Sequence, residues 1–197
     1  MITAVTAIML VGITSFNQIN ITKKSLIVLD IDETTLQFPL INEKWWKTTI
    51  AYYKTIYNCN HDTANGHAYQ DWLRHVTETN PSHTDSVGLN QLFTKAYKTD
   101  SDIIFLTARF PDTIHITKNH IDYLGITDIP IWFTGGESKG KHLKTIHTNI
   151  FNHHDNIILV DDMDHNLHSV KNTIFDNDAN VYCYKFLHDV VREKVFY

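Results

Sequence analysis

Three unbroken apolar runs stand out along the chain, Leu26 to Leu29, Ile103 to Leu106 and Ile157 to Val160, each too short for a helix and flanked by polar residues. Such runs predict strands buried on both faces. Helix-period stretches lie between and after them: Thr113 to Leu124 (Ile114, Ile116, Ile121, Leu124), Lys139 to Ile150 (Leu143, Ile146, Ile150) and His165 to Phe175 (Leu167, Val170, Ile174). Strand alternating with helix predicts an α/β fold around a parallel sheet. Two further strands, Ile129 to Phe133 and Asn180 to Phe186, bring that sheet to about five, a usual size.

The interval from Leu36 to Asp102 breaks the alternation. It holds helix-like pieces at Ile41 to Tyr57 (Trp45, Trp46, Ile50, Tyr53, Tyr57), at His67 to Thr77 and at Leu89 to Tyr97, with a polar loop from Glu78 to Gly88. An insertion here, directly after the first buried strand, predicts a helical cap. The expected division is an α/β core from residues 1–35 and 103–197, and a cap from 36–102. The aromatic stripe of the cap reads as core, with a minority of rings left to face a ligand.

Composition narrows the classes of function. The chain has 197 residues, 43% of them apolar, with 7 Gly and 4 Pro, so it is long enough to bury a core without disulfide or metal staples and is not a disordered sequence. Its net charge of −5 and the absence of any dense Lys/Arg run argue against a nucleic-acid polymer as partner. Cys59 and Cys183 lie far apart with no redox or metal spacing and read as ordinary thiols. The thirteen His, His153 and His154 included, show no zinc-ligand spacing and read as surface residues. The apolar start, MITAVTAIMLVGITSF, is too short to span a bilayer and lacks a basic flank and a clear cleavage site. It reads as a strand or helix packed on the domain, with a cytoplasmic location expected and export the alternative.

The chemistry sits after each buried strand. The first run ends in Asp30-Ile31-Asp32-Glu33-Thr34, the second in Thr107-Ala108-Arg109, the third in Asp161-Asp162. In open parallel sheets the ligand crevice lies outside the carboxyl ends of the strands, so these groups should converge. Four converging carboxylates repel one another unless a multivalent cation sits among them, and all-oxygen ligands favour a hard ion such as Mg²⁺.

The ordered segments LIVLDIDETT, IIFLTAR, SKGKHL and IILVDD resemble the four-motif signature of the haloacid dehalogenase-like (HAD) superfamily, and within it the acid-phosphatase-like branches with a cap after the first strand. The resemblance implies a Rossmann-like core. It makes Asp30 the nucleophile that forms an aspartyl-phosphate and Asp32 the general acid and base, its backbone carbonyl offered to the metal. It makes Thr34 a brace of this loop, Thr107 a hydroxyl donor to the phosphoryl group, Lys139 the cation that neutralises phosphate and nucleophile, and Asp161 and Asp162 the rest of the Mg²⁺ shell. Which of these two touches the metal is left open by the resemblance. Arg109 binds substrate or ties down the cap, and Trp45, Trp46 and Tyr53 are the candidate selectors of substrate.

The resulting expectation is a Mg²⁺-dependent phosphatase acting on small phosphomonoesters such as nucleotides or sugar phosphates. The alternatives are a phosphoprotein phosphatase of the carboxy-terminal-domain type, which DIDET also resembles, and a catalytically idle binding module on the same fold. A large cap favours small substrates, because it sequesters them from water.

Overall fold

The structure, a computed structural model, describes residues 10–173, 175 and 179–188. It divides into two compact units, one made of residues 1–35, 84–113 and 128–197, the other of 36–83 and 114–127.

The first unit is built on a six-stranded parallel sheet. Its strands are β1 (Leu10–Ile13), β2 (Ser25–Leu29), β5 (Asp102–Thr107), β6 (Ile131–Phe133), β7 (Asn156–Asp161) and β8 (Asn180–Phe186), in the order β1-β8-β7-β2-β5-β6. All five residues of β2 are buried, as the unbroken apolar run requires of a strand covered on both faces. The α/β fold with a parallel sheet was legible in the sequence. The sheet has one strand more than expected because Leu10–Ile13, from the apolar N-terminal stretch, pairs in parallel with β8. The rest of that stretch, read as packed on the domain or, in the alternative, as an export segment, falls on residues 1–9, outside the described residues. No helix among the described residues is long and apolar enough to cross a membrane.

The chain moves from β2 outward to β5 and β6, then returns to the other side of β2 for β7 and β8. Connections therefore leave β2 and β7 in opposite directions, and a crevice opens where their carboxyl ends lie side by side. Beneath it, Leu26, Val28, Ile104, Leu106, Ile157 and Leu159 form one core cluster with Leu143 and Ile146 of α5 (Lys139–Asn149) and Leu167 and Val170 of α6 (Asp164–Lys171). Gly140 sets how close these two helices come: a Cβ there would collide with the Ser169 carbonyl oxygen and the Thr173 hydroxyl. Helix α6 ends at Lys171, short of the expected Phe175, and Ile174 lies outside the described residues.

The expected boundary of the insertion differs from the structure in two places. Helix α3 (Ser86–Lys98) belongs to the first unit, because Asp85 at its N-cap accepts from the Gly88 N–H (2.9 Å), the Ser15 hydroxyl (2.6 Å) and the Phe16 N–H (3.0 Å). Helix α4 (Ile114–Tyr123) belongs to the second unit, where His120 Nε2 meets the Val76 carbonyl at 2.8 Å and the His120 ring packs edge-on against Phe38. The sequence carried both helices but not these long-range ties.

The second unit otherwise comprises α1 (Glu43–Tyr57), α2 (His61–Glu78) and a short antiparallel pair, β3 (Leu36–Gln37) with β4 (Ser82–His83). Asn42 and Asn60 cap the two long helices by accepting from Trp45 N–H and Thr63 N–H. Ile50, Ala64 and Ala68 form its core with Trp46, Tyr53 and Cys59 packed against them. Tyr53 also donates to Asp71 (2.5 Å), and that bond pushes the phenol up to about 12. The aromatic stripe is thus only partly core, since Tyr52 and Tyr57 on the same helix are exposed.

Candidate active site

Asp30 follows directly on β2, and its backbone is held at both ends. Its N–H donates to the Val160 carbonyl of β7 (2.9 Å), and its own carbonyl accepts the Thr35 hydroxyl (2.6 Å). The brace is therefore Thr35 and not Thr34, the residue expected for it. The buried Thr34 hydroxyl has no hydrogen-bond partner among the described residues, while its carbonyl accepts from the Thr84 hydroxyl. Glu33, directly before Thr34, has a left-handed φ of 58°, an uncommon state for a residue with a Cβ, and its carboxylate meets His188 Nδ1 at 2.9 Å.

Lys139, the first residue of α5, is completely buried and reaches two carboxylates at once: Asp30, and Asp161 at 2.6 Å. Burial works against its ammonium, but the two carboxylates outweigh burial and hold the proton on. Asp161, the last residue of β7, has both carboxylate oxygens engaged. Its second oxygen accepts from Met163 N–H (2.9 Å) and from Asn166 Nδ2 (3.1 Å). Asn166 has no counterpart in the expected set, and only its place five residues past Asp161 on a helix could have pointed to it. Asp162, next in the chain, accepts no hydrogen bond from the described residues.

One carboxylate oxygen from each of Asp30, Asp161 and Asp162 lies within 4.8 Å of the other two. Two like charges about 4 Å apart repel by about 4 kcal/mol at an effective dielectric of about 20, so one lysine does not balance three such groups. The imbalance shows in the proton affinities. Burial first, then Asp161 and Asp32, push Asp30 up to about 7 against the pull of Lys139. Burial, Asp30 and Asp161 push Asp162 up to about 9. Hard oxygen donors, an excess of buried negative charge and a carboxylate without a partner suit a divalent cation of the Mg²⁺ type. With both oxygens of Asp161 engaged, Asp30 and Asp162 are the side chains with oxygens to offer it.

The remaining expected residues fall into two groups. Asp32 stands apart from the carboxylate cluster: its two oxygens are gripped by Arg109, Nε at 2.8 Å and Nη2 at 2.7 Å. Arg109 is itself buried, and its N–H donates to the Thr107 hydroxyl at 3.1 Å. Thr107 closes β5 with its side chain buried, its carbonyl accepting from Thr134 N–H. The Thr134 hydroxyl is buried without a partner among the described residues. The structure thus brings Asp30, Lys139, Asp161 and Asp162 into one cluster and joins Asp32, Arg109 and Thr107 in a chain of hydrogen bonds. Trp45 and Trp46 lie in the second unit, their rings 5.9 Å apart at the start of α1.

Comparison with known proteins adds little beyond this geometry. Residues 130–196 match a family model described as protein of unknown function (DUF2608). No curated protein matches the sequence. Similar solved structures include the class C acid phosphatase of Bacillus anthracis, with 14% identity, a TM-score of 0.48, and 89% of this chain and 80% of that one covered. Another is a Thermotoga maritima protein assigned as a beta-phosphoglucomutase, with 6% identity, a TM-score of 0.47, and 87% and 98% covered.

Proposed function

We propose that the chain is a HAD-like phosphatase that hydrolyses small phosphomonoesters through an aspartyl-phosphate on Asp30, with Mg²⁺ as cofactor. The observation that carries this reading is the meeting of Asp30 with Lys139, Asp161 and Asp162 where β2 and β7 end side by side. A carboxylate beside a buried ammonium can attack phosphorus and then be released by water, which splits one hard displacement into two. Bound Mg²⁺ would supply charge to hold phosphoryl oxygens against the nucleophile. Asp30 and Asp162 would hold it, with the Asp32 backbone carbonyl.

In this reading Lys139 neutralises the phosphoryl oxygens that approach Asp30, and the Thr107 hydroxyl, which accepts from Arg109 N–H, keeps its own proton to donate to them. Asp161 and Asn166 are positioning residues that fix Lys139. Asp32 protonates the leaving oxygen and then activates water. To deliver a proton it must release one oxygen from Arg109, so the guanidinium aims the acid. The second unit, residues 36–83 with α4, carries Trp45, Trp46 and Tyr53, the candidate selectors among small phosphorylated substrates.

The deciding experiment is hydrolysis of a panel of nucleotides, sugar phosphates, phosphopeptides and an aryl phosphate, with Mg²⁺ and with chelator. The expected result is turnover of small phosphomonoesters that vanishes in chelator and returns with Mg²⁺. Turnover confined to phosphopeptides would move the assignment to a protein phosphatase, and no turnover of any substrate would leave the idle binding module.

Arg109 has a separate test. Lysine cannot reproduce the two-point grip on Asp32, so Arg109→Lys should lower kcat for an alkyl phosphate by about 10- to 100-fold with KM little changed. A raised KM at unchanged kcat would make Arg109 a substrate ligand instead.

A further inference from the structure

Histidines 153 and 154 were expected at the surface, and the structure corrects this for His154, which is 2% exposed. The ring is held from both sides. Its Nδ1 lies 2.9 Å from the Lys24 carbonyl and its Nε2 2.8 Å from Asp102 Oδ2. A carbonyl and a carboxylate have no proton to give, so the ring donates at both ends, Nδ1–H to the Lys24 carbonyl and Nε2–H to Asp102, and Nε2 is the nitrogen a metal would take in place of its proton. The backbone carbonyl of His154 is fixed in turn by Nε2 of the buried His147, at 3.0 Å. His153 completes the group. Its ring lies 4.1 Å from that of His154, and its Nε2 stands 3.7 Å from the same Asp102 oxygen, too far for a hydrogen bond.

We propose that Asp102, His153 and His154 form a binding site for Zn²⁺ or a similar borderline transition metal, at the end of the sheet opposite the Asp30 cluster. The ligand atoms all lie within 4.8 Å of one another. Tetrahedral Zn²⁺ with ligands about 2.0 to 2.1 Å away sets neighbouring ligand atoms about 3.3 Å apart. The two nitrogen-to-oxygen distances here, 2.8 and 3.7 Å, bracket that value, so small rotations of the exposed side chains close the site. Two imidazoles and one carboxylate suit Zn²⁺ and not Mg²⁺. The Lys24 carbonyl on Nδ1 is the outer partner that a ligating histidine needs to fix its tautomer. His153 and Asp102 are 59% and 52% exposed in their side chains, which leaves a coordination position open to water. On binding, the metal takes the place of the proton on His154 Nε2, and that proton goes to solvent.

Asp102 begins β5, Lys24 directly precedes β2, and His153 and His154 precede β7. The metal would therefore clamp the starts of the three central strands, roughly 17 Å along β7 from Asp161 at about 3.3 Å per residue. Distance keeps the two sites separable by experiment.

Zn²⁺ is titrated calorimetrically into the full chain carrying Asp162→Asn, which removes a carboxylate from the other cluster, and melting is followed in parallel. One Zn²⁺ should bind per chain and raise the melting temperature. His153→Ala and Asp102→Asn, each at an exposed side chain, should each weaken that binding at least about tenfold and shrink the thermal shift, while excess Mg²⁺ should not compete. Unchanged affinity and thermal shift in both variants, or displacement of Zn²⁺ by Mg²⁺, would overturn the site. The proposal is independent of the phosphatase reading, since no phosphate ester enters the measurement.

Discussion

Asp30→Asn should end turnover and leave the fold standing. The substitution keeps the shape of the side chain and the backbone ties to Val160 and Thr35, so the β2 end is undisturbed. It removes the one buried carboxylate that is both in contact with Lys139 and free of Asn166. An amide cannot attack phosphorus, and it is a poorer partner for a divalent cation. The expected loss is at least about 10⁴-fold in kcat/KM, with the thermal unfolding midpoint in chelator equal to or above that of the parent because repulsion inside the cluster falls. The measurement is steady-state hydrolysis of an aryl phosphate beside a melt. Hydrolysis by the folded variant within about tenfold of the parent, roughly 1.4 kcal/mol of barrier, would sink the nucleophile assignment.

Five of the six sheet strands, their parallel pairing and the three acidic or hydroxyl-bearing strand ends were legible because local pattern alone dictates them: an apolar run of about four residues between polar flanks has few other fates. Asp30 and Asp161 follow from position, since a polar residue closing such a run must sit at the crevice. Contacts between residues distant in sequence were not legible. Nothing local distinguishes Thr34 from Thr35 as the brace of the loop, because the choice depends on which hydroxyl faces the Asp30 carbonyl in the folded turn. Arg109 looked like a substrate or cap residue and proved to grip Asp32, seventy-seven residues away. The histidines were misread for the same reason. His147, His154 and His188 are buried with ring nitrogens bonded to backbone or carboxylate groups of other elements, and no periodicity encodes such bonds. Asn166 was missed because an asparagine early in a helix is ordinary, and only the Asp161 oxygen 3.1 Å from it makes it special.

Stability in chelator should fall as pH rises, and a divalent cation should abolish the fall. Asp30 and Asp162 have folded-state proton affinities raised from 3.8 to about 7 and about 9, chiefly by burial and then by neighbouring carboxylates. Below pH 3.8 both groups are protonated in the folded and unfolded chains alike, so neither opposes folding. Between there and about pH 9 the folded chain holds protons that the unfolded chain has released, and unfolding free energy must decline with pH by up to about 1.4 kcal/mol per unit for each group. The decline ends once the folded-state groups have ionised. This sign is the reverse of that for a carboxylate satisfied by a salt bridge, and it singles out the cluster from the other acids of the chain. Mg²⁺ binds the ionised form, so its stabilisation, RT ln(1 + [Mg²⁺]/Kd), should grow over the same window as protons cease to compete. The test is urea unfolding in chelator and in Mg²⁺ at several pH values, for the parent and for Asp162→Asn. Without metal the variant should be the more stable of the two at pH 9, by more than about 1.4 kcal/mol, the worth of one pKa unit, and the difference should vanish near pH 4. With Mg²⁺ the order should invert, because the variant has lost the carboxylate best placed to hold the ion. Equal stability of the two proteins across the pH range in chelator would show that the cluster carries no electrostatic strain, and would remove the physical ground for placing a cation there.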